Sequence, residues 1–177
     1  KGSYELVRLS QPEKVLTPAE TPQEVPATLK SIAGDSLRPR WEATISLEQQ
    51  LFGWKDGAVI RTGELTHDEN GEATLVLPGL DAGVYRLKYT TPDKWGSQCP
   101  TQQEFIVGTS GSQLNVPFFM IPKSSLVNVG EKATFLCGSG FNDQSFYFEL
   151  YRAGTLVKRD LLSSGKGTHV LSVPVDE

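Results

Sequence analysis

Cysteine is nearly absent from this chain. Cys99 and Cys137 are the only two in 177 residues, too few for a disulfide framework or a cysteine-ligated metal centre. Each is a candidate buried thiol, the usual fate of a lone cysteine, and a bridge between them is disfavoured because they fall in different expected domains. Histidine is as scarce, with only His67 and His169. No apolar run approaches the roughly 20 residues that cross a bilayer as a helix, so no direct membrane insertion of this segment is expected. No secretory leader is visible, no amphipathic helix of useful length and no low-complexity tract. Blocks of like charge are missing too. The 21 acidic and 17 basic residues are dispersed and leave a net charge of −4, which lacks the footprint of a nucleic-acid binder or of a protein held to an anionic membrane. The chain opens on Lys1 rather than methionine. We therefore expect an excerpt of something longer, and the missing targeting signals say little.

What the chain does have is alternation. Eight Phe, five Tyr and three Trp can fill small cores, and many of them fall at a period of two. The clearest case is Leu80–Gly96. A turn at Asp81-Ala82-Gly83 opens a strand over Val84–Thr90, with Tyr85, Leu87 and Tyr89 on one face and Arg86, Lys88 and Thr90 on the other. That spacing predicts one buried and one wet face in an antiparallel sheet. Further strands are expected over Tyr4–Leu9, Trp41–Gln49, Val59–Leu65, Glu72–Leu77 and Gln103–Val107. Leu51–Trp54 reads as a strand end or bulge, Lys55-Asp56-Gly57 as a turn, and Asn70-Gly71 as a tight hairpin. The total is about seven strands, the complement of a sandwich.

Ser10–Arg40 breaks the pattern. Pro12, Pro18, Pro22, Pro26 and Pro39 remove donors and push the preceding residues out of the helical region. The stretch reads as an ordered excursion or interdomain crossing, with an exposed segment meant to be cut as the other reading. Gly108–Ser112 reads as a linker. After it come Asn115–Ile121, irregular because of Pro117 and Pro122, then Lys132–Cys137, Ser145–Arg152, Thr155–Leu162 and His169–Val175. The aromatic run Phe146, Tyr147, Phe148 and Tyr151 predicts a central strand buried on both faces, and Ala153-Gly154 a hairpin turn. The expected class is thus all-β: a sandwich over residues 1–110 with a proline-rich insertion at about 10–40, and a second over 113–177, either minimal or cut short. A cut-short domain would carry an unpaired edge able to recruit another copy of the chain.

Residues with reactive chemistry do not converge. His67 sits in a predicted turn with Asp68 and Glu69, and His169 at a strand start facing solvent. Neither belongs to a Ser/His/Asp or Cys/His constellation. The carboxylates are too scattered to define a glycosidase pair. Gly138-Ser139-Gly140 lacks the Lys-Ser/Thr and the following helix of a phosphate loop, so it reads as a turn. Trp95 either closes the end of the core or offers a sugar-stacking platform, with core the default for Trp95, Trp41 and Trp54. Tyr147 and Tyr151 are likewise core by default, or line an interface between the sandwiches. No catalytic, cofactor-binding or metal-ligating residue is assigned, and no enzyme is expected.

Several stretches together resemble a known family. Gly79-Leu80-Asp81-Ala82-Gly83-Val84-Tyr85-Arg86-Leu87, followed by Asp93-Lys94-Trp95-Gly96, is similar to the signature of macroglobulin domains in bacterial alpha-2-macroglobulins. Val129-Gly130-Glu131-Lys132-Ala133, Phe148–Arg152 and Leu171–Val175 resemble the following domain, and Tyr4–Val15 the leading strand and insertion. The resemblance implies consecutive immunoglobulin- or fibronectin-III-like sandwiches inside a very large periplasmic or extracellular protein. Such proteins trap proteases: a bait segment is cut, the molecule collapses around the attacker, and in many members a Cys-Gly-Glu-Gln thioester captures it. Here Cys137-Gly138-Ser139-Gly140 is not that motif, so no thioester chemistry is assigned. The implied role is scaffold, with neighbouring domains of the same chain as partners and target proteases met through the parent. A surface adhesin or carbohydrate-binding module is the alternative, predicting an exposed aromatic strip that includes Trp95. A non-catalytic appendage of an enzyme is the third reading.

Overall fold

The computed structural model describes residues 1–16, 47–77, 79–142, 145–163 and 167–176. Within them the chain forms β1 (Gly2–Ser10), α1 (Leu47–Phe52), β2 (Lys55–Leu65), β3 (Gly83–Pro92), β4 (Gln98–Val107), β5 (Phe119–Pro122), β6 (Lys132–Gly138), β7 (Ser145–Arg152), β8 (Thr155–Ser163) and β9 (His169–Pro174). The described chain is therefore mostly β with one short helix, and its antiparallel sheets are consistent with β-sandwich domains. A four-stranded sheet runs β2-β1-β3-β4, a three-stranded sheet β5-β6-β9, and β7 pairs with β8 alone.

In the four-stranded sheet both faces are covered at the centre. Opposed residues share a face, and β1 pairs with β3 without interruption, Leu6 opposite Leu87 and Val7 opposite Arg86. Leu6 and Val7 are adjacent, so they point to opposite sides, yet they are only 0% and 1% exposed. One face carries Tyr4, Leu6, Tyr85 and Phe105, the last two stacked with ring centroids 5.7 Å apart. The other carries Val7, Leu9, Val84 and Ile106, which join Leu51 and Trp54 and, from beyond Gly108, Leu114, Val116 and Phe119 in one buried cluster. Each fully buried side chain of this size contributes roughly 1.5–3 kcal/mol. The cluster draws on residues from both sides of Gly108–Ser112.

Several expectations are corrected. Leu47–Gln49 is helical, not the end of a strand, while residues 41–46 lie outside the described region. Leu, Glu and Gln favour helix, and Leu47 and Leu51 at i,i+4 both meet the core. Lys55-Asp56-Gly57 lies within β2; the extra residues are absorbed by register shifts between Leu6/Val7 and Val7/Leu9. Glu72–Leu77 forms no strand, although the turn before it forms as expected. Arg86, placed on the wet face of β3, is buried. Ser145–Arg152 is not central: among the described residues it pairs only with β8, and Tyr147 and Tyr151 are exposed. Phe119–Pro122 alone forms the strand expected over Asn115–Ile121.

Two hairpin turns share one geometry. Asp93 N–H donates to the Ser97 carbonyl at 2.8 Å and Gly96 N–H to the Asp93 carbonyl at 3.1 Å. The Asp93 carboxylate accepts from Trp95 N and Ser97 N, and Gly96 supplies φ +88°. Asp68 repeats every one of these contacts with Glu72, Gly71, Asn70 and Glu72 again, with Gly71 at φ +80°. After Asp93 the ladder continues for ten pairs, from Pro92–Gln98 to Gly83–Val107. After Asp68 it stops. Ala153-Gly154, at φ 46° and 79°, closes β7 onto β8 as the expected two-residue turn. Gly108–Ser112, expected as a linker, is tied down. Gly111 N–H donates to the Thr168 carbonyl and Thr168 N–H to the Ser112 carbonyl, each at 2.9 Å.

Candidate functional site

The most concentrated group of charges lies where the core face of the four-stranded sheet turns from apolar to polar. β3 presents Val84 to the cluster, then Arg86, then Lys88. The alternation that buries Val84 therefore drives the Arg86 guanidinium under α1, and its side chain is 8% exposed. There it finds four acceptors. Nε donates to Glu104 of β4 at 2.6 Å and Nη1 to Asp56 of β2 at 2.5 Å. Nη2 donates to the carbonyls of Leu51 and Phe52 at 3.2 and 2.7 Å. Those carbonyls end α1, where a helix leaves acceptors over and carries partial negative charge, although Leu51 also accepts from Trp54 N–H at 3.1 Å. The planar fork suits this set of acceptors in a way an ammonium does not.

Lys88 extends the network outward, to Asp56 at 2.5 Å and to Glu5 at 3.2 Å. The Lys88 hydrogen bond holds the Asp56 carboxyl below the usual carboxylate range, against the opposing effect of burial. Its counterpart from Asp56 holds the Lys88 ammonium above the usual lysine value. Every charge here has an opposite partner, and the arrangement's chemical capacity is to fasten β2, β3, β4 and α1 together.

Beside this network Ser3, Tyr4, Glu5, Thr62, Gly63, Glu64, Lys88 and Thr90 line a shallow depression of about 540 Å3. Lys88 pairs with Glu5 at its side and Lys1 with Glu64 at 2.6 Å. The side chains with reactive potential lie elsewhere. His67 Nε2 is 2.8 Å from the Tyr89 hydroxyl, with the rings edge to face, while the adjacent Asp68 carboxylate is spent on its turn. His169, expected to face solvent, is half-buried with its ring 5.9 Å from Phe146. Cys99 is exposed on β4, and Cys137 is buried at the end of β6, both as free thiols. Burial pushes the Cys137 thiol up. Among the described residues no three His, Cys, Asp or Glu side chains gather as a metal-ligating set.

Gly138, expected in a turn, is the last residue of β6, and Ser139-Gly140 beyond it pack against the Val116-Pro117 backbone. The Ser139 hydroxyl donates to the Pro117 carbonyl at 2.6 Å, and Gly140 N–H donates to the Val116 carbonyl at 2.8 Å. Trp54 belongs to the core, but Trp95 does not: it is 78% exposed on the β3–β4 hairpin, with the Lys94 ammonium 4.2 Å from its ring centroid. Trp41 lies outside the described residues. The Arg86 clamp was missed because a period of two marks Arg86 as a neighbour of Lys88 and Thr90 without showing that α1 covers that end of the face. The acidic partners sit 18 and 30 residues away, with no local signal linking them. Comparison with protein-family models, with curated proteins and with solved structures found no match.

Proposed function

We propose that this chain is a non-catalytic structural segment, two consecutive immunoglobulin- or fibronectin-III-like sandwiches (about residues 1–110 and 113–177) within a large bacterial alpha-2-macroglobulin-like protein of the periplasm or cell exterior. The observation that carries this reading is the Arg86 clamp. In Gly83-Val84-Tyr85-Arg86-Leu87, the stretch most similar to macroglobulin domains, the polar groups serve cohesion. Arg86 fastens three strands and a helix, and the Tyr85 hydroxyl donates to the Asp81 carbonyl at 2.8 Å. Asp93 and Gly96 of the same signature build a hairpin turn. Gly130 and Glu131 bond across to Val175. A body braced in this way moves as a unit when its parent changes shape, which is the mechanical role of a trap's scaffold.

The test is made on the parent. Antibodies raised against the 177-residue chain recover the protein that contains it from the cell envelope. Protease is then added, and its activity is read on a large protein substrate and on a small peptide. Entrapment predicts loss of the first with the second retained; equal activity on both refutes the proposal. Limited proteolysis of the chain addresses Ser10–Arg40, most of which lies outside the described residues. Early cleavage confined to Lys14, Lys30, Arg38 or Arg40 makes it bait, and resistance makes it a crossing.

One observation favours the adhesin or carbohydrate-binding reading: the exposed Trp95 ring. Glycan binding by the isolated chain that is lost in Trp95→Ala would move the assignment there.

A further inference from the structure

Among the described residues the β7–β8 ribbon half-buries one face and leaves the other exposed. Phe146, on the inner face, meets the rings of Phe118 and His169 at 5.5 and 5.9 Å. The outer face carries Tyr147, Glu149 and Tyr151 on β7. Opposite them on β8 stand Leu161, Arg159 and, past a register shift that skips the exposed Val157, Leu156. Tyr147 and Leu161 are 66% and 62% exposed. The polar groups at the centre are organised without a partner molecule. Arg159 holds the Glu149 carboxylate through Nε at 2.7 Å and Nη2 at 2.6 Å. The Tyr151 hydroxyl donates to the same carboxylate at 2.9 Å, and the Arg159 guanidinium lies 5.8 Å from the Tyr147 ring centroid. Tyrosine and arginine held in place in this way are the residue types that anchor protein interfaces.

The two rows are chemical complements: aromatic, acid, aromatic on β7 and aliphatic, base, aliphatic on β8. A twofold axis parallel to the strands, lying above the ribbon, keeps each residue's height along the strand and exchanges the rows. It sets Tyr147 of one copy over Leu161 of the other, Glu149 over Arg159, and Tyr151 over Leu156. We propose that the outer face of β7–β8 is an isologous docking surface for a second copy of this chain, packed face to face as the sheets of a sandwich pack. Eight-residue strands at ~3.3 Å per residue and ~4.8 Å spacing give a footprint of roughly 250 Å2. That is well under the ~800 Å2 per partner of a stable complex, so the dimer is weak and concentration-dependent.

Sedimentation velocity on the full chain is the test, from ~10 µM to ~1 mM, the range in which a contact this small associates. The sedimentation coefficient is expected to rise with concentration. Glu149→Arg alone and Arg159→Glu alone each place like charges across the axis, and each is expected to weaken self-association at least ~10-fold. An equimolar mixture of the two variants restores opposite charges at both contacts and is expected to recover association to within ~3-fold of the parent. Both substitutions lie on an open face, and far-UV circular dichroism verifies that each variant is folded. A chain that stays monomeric at ~1 mM, charge swaps that leave association unchanged, or a mixture that fails to recover it would each overturn the proposal.

Discussion

Replacing Arg86 with methionine keeps the length of the side chain and removes its charge and all four of its hydrogen bonds. The Glu104 side chain is 10% exposed and that of Asp56 37%, so the two lost ion pairs are unequal. Water and Lys88 compensate Asp56, and its share is below ~1 kcal/mol. Among the described residues Glu104 then keeps the Gln102 amide at 3.0 Å and becomes a nearly buried carboxylate without its cation. Breaking such a pair from one side costs about 3–5 kcal/mol. The Leu51 carbonyl keeps the Trp54 N–H at 3.1 Å, so the loss at the two carbonyls stays within that range. Against a total stability of about 5–15 kcal/mol this is a large fraction. At about 2–4 °C per kcal/mol for a chain of this size, the midpoint should fall by about 6–20 °C.

Urea denaturation followed by tryptophan fluorescence measures it. Trp54 sits in the cluster beside Leu51, and a background carrying Trp41→Phe and Trp95→Phe leaves it as the tryptophan reporter. The second arm is Arg86→Met with Glu104→Met. If burial of an uncompensated carboxylate is the cause, the double variant returns to within ~1 kcal/mol of the parent, because buried pairs exchange for apolar residues at little cost. An Arg86→Met loss below ~1 kcal/mol would refute the reasoning, and so would a double variant as unstable as the two single losses added together.

Other substitutions follow from the same geometry. Asp93→Ala removes the acceptor for two turn amides and costs about 1–2 kcal/mol by thermal melting. Asp68→Ala costs less than ~0.5, because no ladder depends on its turn. In Gly140→Ala the new Cβ would lie 2.4 Å from the Leu114 carbonyl, a backbone clash worth about 1–3 kcal/mol. Leu114→Ala should cost about 2–5 kcal/mol, and both Trp54 fluorescence and an amide probe in β6 should report it at the same denaturant concentration. Separate transitions would show that the shared cluster does not couple them. The Asp56–Lys88 pair sets a pH window. Asp56's lowered folded value means its contribution is present above the ordinary carboxylate value of about 3.9 and lost as pH falls through the lower folded value. Lys88's raised value means its contribution is complete below about 10.4 and lost as pH rises through the higher one. Both groups are more than a third exposed, so each limb is below ~1 kcal/mol, and Asp56→Asn should remove the pair's share of both limbs of a melting-temperature profile.

Where local chemistry decides the outcome, the sequence was sufficient. Asp93–Gly96 and Ala153-Gly154 turn because a short acceptor side chain or a tolerated positive φ is written at the right position. β1, β3 and β4 form where alternation predicts strands, although burial reaches both of their faces at Val7 and Arg86, and the five strands expected after Gly108–Ser112 are present as β5 to β9. Asp68–Gly71 shows where that knowledge ends. Its turn forms with the same contacts as Asp93, yet Glu72–Leu77 does not pair. A hairpin needs a face to bury as well as a turn, and Val76 is 71% exposed. The helix at Leu47 was hidden because its apolar residues also fit the alternation that precedes them. Gly108–Ser112 has a linker's composition, but the bonds that fix it come from Thr168, which no local pattern relates to it.

The same limit explains both candidate sites. β3 and β7 carry nearly the same alternation, aromatic on one side and charged or mixed on the other. A period of two states which residues share a face; it is silent on whether anything lies over that face. Above β3, α1 and Leu114–Phe119 arrive from distant parts of the chain and bury Arg86, while Lys88 further along the row read as wet stays 37% exposed. Arg86 is then stable only because two carboxylates and two helix-end carbonyls converge on it. Over the outer side of β7 the described chain places only the β8 side chains of the same ribbon, so the row read as core stays in water, with Glu149 and Arg159 already paired and oriented. Cover supplied from within the chain makes a clamp, and cover left to another molecule makes a docking face. The charge-swap mixture separates those outcomes for β7, because a face needed only for folding gains nothing when two oppositely altered copies meet.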